Sequence, residues 1–211
     1  RRHRRRRPET SAFGSGGPFD TMSTTSLFVE LIVIGSGVFL WLAILALALF
    51  GADAIPISQT ALIASAIPAL SVIYVLGTVW DRLADWLFGR WWGDGIRSSE
   101  FDDIGEYYDA RRSILTRSPA LSELLEYGRS RLRICRGWAL NAPLIGISLE
   151  CLLLINPDLV ASPLLAGIAV AALSIALTSG CWFAWSSLTR AEYRKVREQA
   201  RYLQDRSADH T

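Results

Sequence analysis

Residues 163–185 form a run of 23 positions without one charged side chain, and residues 61–80 form a second such run of 20. A soluble core does not need uninterrupted apolar stretches of this length. A helix crossing the roughly 30 Å hydrocarbon layer needs about 20 such residues. Two more blocks follow the same pattern with small departures. Residues 27–50 carry one ionisable side chain, Glu30, and residues 138–155 carry Asn141 and Glu150. With 51% of its 211 residues hydrophobic, the chain cannot belong to the disordered or collagen-like classes. The expected fold is therefore an all-α integral membrane protein with four transmembrane helices at 27–50, 61–80, 138–155 and 163–185.

Arginine and lysine set the expected orientation, because cytoplasmic flanks carry an excess of them. The short segments 51–60 and 156–162 contain none. Segment 81–137 contains ten arginines, and the tail 186–211 contains six basic residues. Both termini are thus expected in the cytoplasm, with the plasma (inner) membrane as the expected location. Seven of the eight tryptophans, among them Trp80, Trp86, Trp91, Trp92 and Trp185, fall at or just beyond the expected inner ends of spans, where amphipathic rings favour the interface.

Residues 1–26 read as a basic tail, with six arginines in the first seven positions and a Gly/Ser stretch behind them. Met22 is the chain's one methionine and an expected translational start. Starting there removes six arginines and two acids and turns the net charge from +2 to −2. The tail has no interleaved aromatics, so nucleic acid is not an expected partner. Two small-x-small sites, at 46–48 and 52–54, fit signal cleavage, but the first block is too long for a signal peptide.

Between spans two and three, residues 81–137 read as a cytoplasmic helical hairpin. Ser99 and Asp102 fit a capping box, and Phe101, Ile104 and Tyr108 then begin an apolar face that wants a partner. Ser118 before Pro119 is a second start signal, for a helix expected to run straight into span three. Residues 189–204 alternate charges on strong helix formers and are expected to prolong span four.

Familiar catalytic chemistry is poorly supplied. The only histidines, His3 and His210, lie in the tails; Cys135, Cys151 and Cys181 are widely spaced; and neither a phosphate loop nor a dinucleotide fingerprint occurs. No cofactor and no metal are expected. What remains is a set of ionisable residues in or beside spans, where they are costly and hence functional suspects. An inner cluster comprises Glu30, Asp81, Asp85, Arg129, Arg133 and Arg136, with the two aspartates four apart and the arginines at spacings of four and three. It reads as an ion-pair belt fixing register, as a gate, or as a site for an anion such as a lipid headgroup. A second set, Glu150 with Asp53 and Asp158 in the outer turns, makes the outer surface purely acidic.

Small-residue steps at Ala61, Ser65 and Ala69, and at Ala172, Ala176 and Gly180, predict close helix packing. Pro68 and Pro143 are expected to kink their spans and free carbonyls at Ala64 and Ala139 that can line a pore. Together these features lead to a homo-oligomeric cation channel, with Glu150, Asp53 and Asp158 attracting the ion. The main alternative is a non-conducting anchor or sensor that recruits a cytosolic partner through Phe101, Ile104 and Tyr108. A lipid-active enzyme using Asp81 and Asp85 as magnesium ligands ranks last.

Overall fold

The computed structural model describes residues 18–51, 59–117 and 119–208, and no strand occurs among them. Six helices follow in chain order: α1 (Pro18–Phe50), α2 (Gln59–Phe88), α3 (Asp94–Ser98), α4 (Ile104–Arg117), α5 (Pro119–Ile155) and α6 (Pro163–Ala208). A π-helical turn, Gly89–Gly93, joins α2 to α3 without a break. Four of these helices are long and apolar enough to cross a membrane.

Length alone forces two of them out of any bilayer. At 1.5 Å per residue the 46 residues of α6 extend about 69 Å and the 37 of α5 about 55 Å. Hydropathy decides which parts leave. The amino-terminal half of α6 is apolar and faces outward along its most hydrophobic stretch, as lipid contact requires, while its second half alternates charges. Pro68 and Pro143 lie inside unbroken helices. The segment around Ala139 packs in an apolar cluster with Phe88, Ile96 and Trp185. That is a different setting from the aqueous path expected of a freed carbonyl.

α5 is the hub, contacting α1, α2, α4 and α6. It runs parallel to α1, with Glu30 beside Ser130 and Arg133, and Ile34 beside Asn141. It runs antiparallel to α6, with Gly128 on Glu192, Gly146 on Ser174 and Gly167 on Glu150. Two bonds tie these seams: Asn141 Nδ2, buried, donates to the Ile34 carbonyl at 2.9 Å, and Ser174 Oγ, half-buried, to the Ala142 carbonyl at 3.0 Å. Interhelical bonds of this kind average about 0.6 kcal/mol in a membrane protein, so they orient the seams more than they drive them.

α1 and α2 do not form the antiparallel hairpin that a short outer turn suggests. Such a hairpin would set Trp41 beside the first half of α2, yet its ring meets Trp80 at 6.0 Å, and Phe28 meets Tyr74 at 5.1 Å. The helices cross at Gly35 and Gly77 instead. A Cβ at Gly35 would overlap the Ile73 carbonyl, and one at Gly77 the Leu31 carbonyl, so only glycine lets the backbones meet there. The small-residue steps expected to pack closely do not take part in this crossing, and several lie on the outside of the single chain. Ser65, Ala172, Ala176 and Gly180 are exposed, and a Cβ at Gly180 would meet nothing.

The cap of the bundle also departs from the expected hairpin. Ser99 does not start a helix: its hydroxyl donates to the Ile96 carbonyl at 2.7 Å and closes α3. Asp103 takes the capping role, accepting from the Gly105 N–H at 3.2 Å, and α4 begins at Ile104. Phe101 thus precedes the helix and turns inward, 3% exposed, against Ile114 and Val196. Of the face expected to seek a partner, Phe101 finds one within the chain, the carboxyl-terminal half of α6, while Ile104 and Tyr108 stay exposed.

Candidate functional site: a charged layer beneath the cap

Five ionisable residues of the inner cluster converge in pairs. Asp81 and Asp85 lie one turn apart on α2 and face α5, where one guanidinium serves both: Arg136 Nη2 donates to Asp81 Oδ1 at 3.0 Å, and Nη1 donates to Asp85 Oδ1. Exposure separates the two carboxylates, since the side chains of Asp81 and Arg136 are 9% and 12% exposed and that of Asp85 is 60%. One turn earlier on α5, Arg133 approaches Glu30 of α1 at 3.6 Å, and Ser130 Oγ donates to the same carboxylate. Glu30 and Asp81 are buried polar residues in the apolar stretches where their charges are most costly, and α5 supplies the compensation for both.

Below these pairs lies a cavity of about 380 Å³ between α2, α4, α5 and α6. Arg82, Arg111, Arg129, Arg133 and Arg136 line it, with Asp81, Asp85 and Glu192 as its acidic groups and the phenols of Tyr107 and Tyr193 as neutral donors; the Thr189 hydroxyl, also on the wall, donates to the Trp185 carbonyl at 2.7 Å. Glu192 packs its carboxylate against the bare backbone of Gly128, where a Cβ would overlap it. Burial pushes this carboxyl above the usual carboxylate range, against the opposing pull of Lys195, Arg129 and Arg111. Burial likewise raises the Tyr193 phenol, helped by Tyr107, so it remains a hydrogen-bond donor.

Aromatic rings close the layer on both sides. Toward the spans, Phe88 meets Trp185 at 4.7 Å and Trp92 meets Trp182 at 6.4 Å. Toward the cap, Phe101, Tyr107 and Tyr193 stand edge to face at 5.3–6.3 Å from one another, and the Arg197 guanidinium covers Phe101 at 5.6 Å. Glu100 pairs with Arg197 at 3.5 Å and Arg194 at 3.8 Å, fastening the α3–α4 connection to α6.

The second suspect set is not gathered here. Glu150 lies in the α5–α6 seam with its carboxylate against Gly167, and its Oε1 is buried without a hydrogen-bond partner. Asp158 is exposed in the 3-10 turn Pro157–Leu159, and Asp53 lies outside the described residues. On the cap, Ile104 and Tyr108 are 50% and 57% exposed while Phe101 is buried, so the expected partner face is split. Sequence reasoning missed Arg111 and Glu192. Each belongs to a helix of unremarkable alternating charge, and only the folding of α4 and α6 over α5 brings them to Arg129. Among the described residues no group of His, Cys, Asp and Glu is placed to hold a metal ion, and Asp81 and Asp85 are both engaged by Arg136. Comparison with protein-family models, curated proteins and solved structures gives no match.

Proposed function

We propose that this protein is a non-conducting membrane anchor or sensor of the plasma membrane, with both ends in the cytoplasm, that presents a helical cap to a soluble partner. One observation carries the reading. α4 spends Ile114 on the α6 extension, yet leaves Ile104, Tyr108 and Leu115 exposed on a helix too polar to enter the bilayer. Lipid contact accounts for exposed apolar residues on the spans; it does not account for these. Their spacing of four and seven places them on one face, the arrangement by which an amphipathic helix engages a groove. The excess of arginine in 81–137 supports the cytoplasmic side for the cap.

The test is a photo-crosslinking side chain installed at Tyr108 and, as control, at Glu106, which is exposed on another face of α4. In intact cells Tyr108 is expected to yield one discrete adduct with a soluble protein and Glu106 none. Adducts to lipid or to a second copy alone would contradict recruitment.

A cation pathway through Glu150 is the second reading, supported by the unpartnered buried oxygen of that carboxylate. It requires the α5–α6 seam to open, because Gly167 of the same chain now covers the group. A cation current across planar bilayers that Glu150→Gln abolishes would establish it.

A further inference from the structure

We propose that the cavity between α2, α4, α5 and α6 binds a phosphorylated anion. The argument begins with what its charges already do. Arg136 neutralises Asp81 and Asp85, and Arg133 neutralises Glu30. That leaves Arg82, Arg111 and Arg129 on the cavity wall with Glu192 as the one remaining acid, and none of these three arginines makes an ion pair among the described residues. The cavity therefore carries uncompensated positive charge toward its α4 side.

The residue type selects the ligand class. Guanidinium forks match the oxygens of phosphate, and a cluster of them beside phenol donors is an arrangement that holds phosphoryl groups. Glu192, lying between Arg111 and Arg129, occupies the charge that the ligand would otherwise meet. Phosphate of this class has two sources. One is a lipid whose headgroup enters while its chains stay in the bilayer, with Trp185, on the cavity wall, at the end of the apolar run 163–185. A soluble phosphate ester arriving from the cap side presents the same chemistry. The site does not depend on a partner at α4.

The experiment uses the full chain in nanodiscs of phosphatidylcholine, read by tryptophan fluorescence, to which Trp185 reports from the cavity wall. One arm replaces part of the lipid with phosphatidylglycerol; the other titrates glycerol phosphate into the neutral discs. Saturable binding in either arm is expected, and the arm that responds identifies the source. The Arg111→Gln/Arg129→Gln pair weakens binding by about tenfold or more, Arg112→Gln, exposed on α4 and outside the cavity, leaves it unchanged, and Glu192→Gln tightens it. The opposite effects of the arginine pair and Glu192→Gln separate binding from a merely structural role. No saturation in either arm, or wild-type affinity in a folded double variant, would overturn the proposal.

Discussion

Arg136 carries more of the charged layer than any other side chain, because its guanidinium answers two carboxylates on a different helix. Removing it leaves Asp81 buried and unpaired, a loss of about 3–5 kcal/mol for a buried pair broken from one side. Removing Asp85, which is mostly exposed, costs no more than a surface pair, about 1 kcal/mol or less. Thermal denaturation in detergent should therefore rank Arg136→Ala as far more damaging than Asp81→Asn, and Asp81→Asn as worse than Asp85→Asn. An equal loss from Asp81→Asn and Asp85→Asn would show that burial does not separate them.

Glu192 makes a prediction of the opposite kind. Its raised carboxyl holds a proton to higher pH in the folded state than in the unfolded chain. The stability it contributes is complete below the unfolded carboxylate range and is lost as pH rises through the raised value. Glu192→Gln should thus gain in Tm relative to wild type as pH rises above about 4; parallel curves for the two proteins would contradict the burial of this carboxyl against Gly128.

At the scale of elements, the glycines at the α1–α2 crossing are the sharpest test of packing. Gly35→Ala and Gly77→Ala each drive a methyl into a carbonyl and are expected to cost about 1–3 kcal/mol. Gly180→Ala, with open space around it, should be neutral. Equal tolerance at all three positions, in melting curves or steric trapping, would show that the crossing is not made at this point. This is also where the sequence was least informative. Neither Gly35 nor Gly77 has a small residue four positions away, whereas the visible repeat at 172–180 faces outward. Element lengths were far more legible. Uncharged runs, the Ser118–Pro119 start signal and the unbroken helix formers after Thr189 all read directly from residue order, because they depend on neighbours along the chain.

The same distinction holds for the site. Asp81 and Asp85, and Arg129, Arg133 and Arg136, were legible as two faces because each face is one helix. Their pairing was an inference from bundling, and Arg111 and Glu192 could not be added to it. Phe101 shows the limit most clearly. Helical periodicity put it on the face of Ile104 and Tyr108, but Asp103 starts the helix two residues later and frees Phe101 to turn into the α6 contact. Phe101→Ala should release α4 from α6 and raise protease sensitivity across 99–117, while Ile104→Ala, at an exposed position, should leave digestion unchanged.

For the whole molecule, the proposed function requires the cap and the α6 extension to lie together outside the bilayer, on the cytoplasmic face. α4 packs on the second half of α6, so the two must share a side, and the turn around Asp158 is separated from them by the full apolar half of α6. The decisive measurement is labelling of single cysteines at positions 116, 158 and 201, in a background lacking the three native thiols, by a membrane-impermeant maleimide on intact cells and on inverted vesicles. Positions 116 and 201 are expected to react in inverted vesicles and to be protected in cells, with position 158 showing the reverse. Labelling of 116 and 201 from opposite sides, or of all three from one side, would contradict the account.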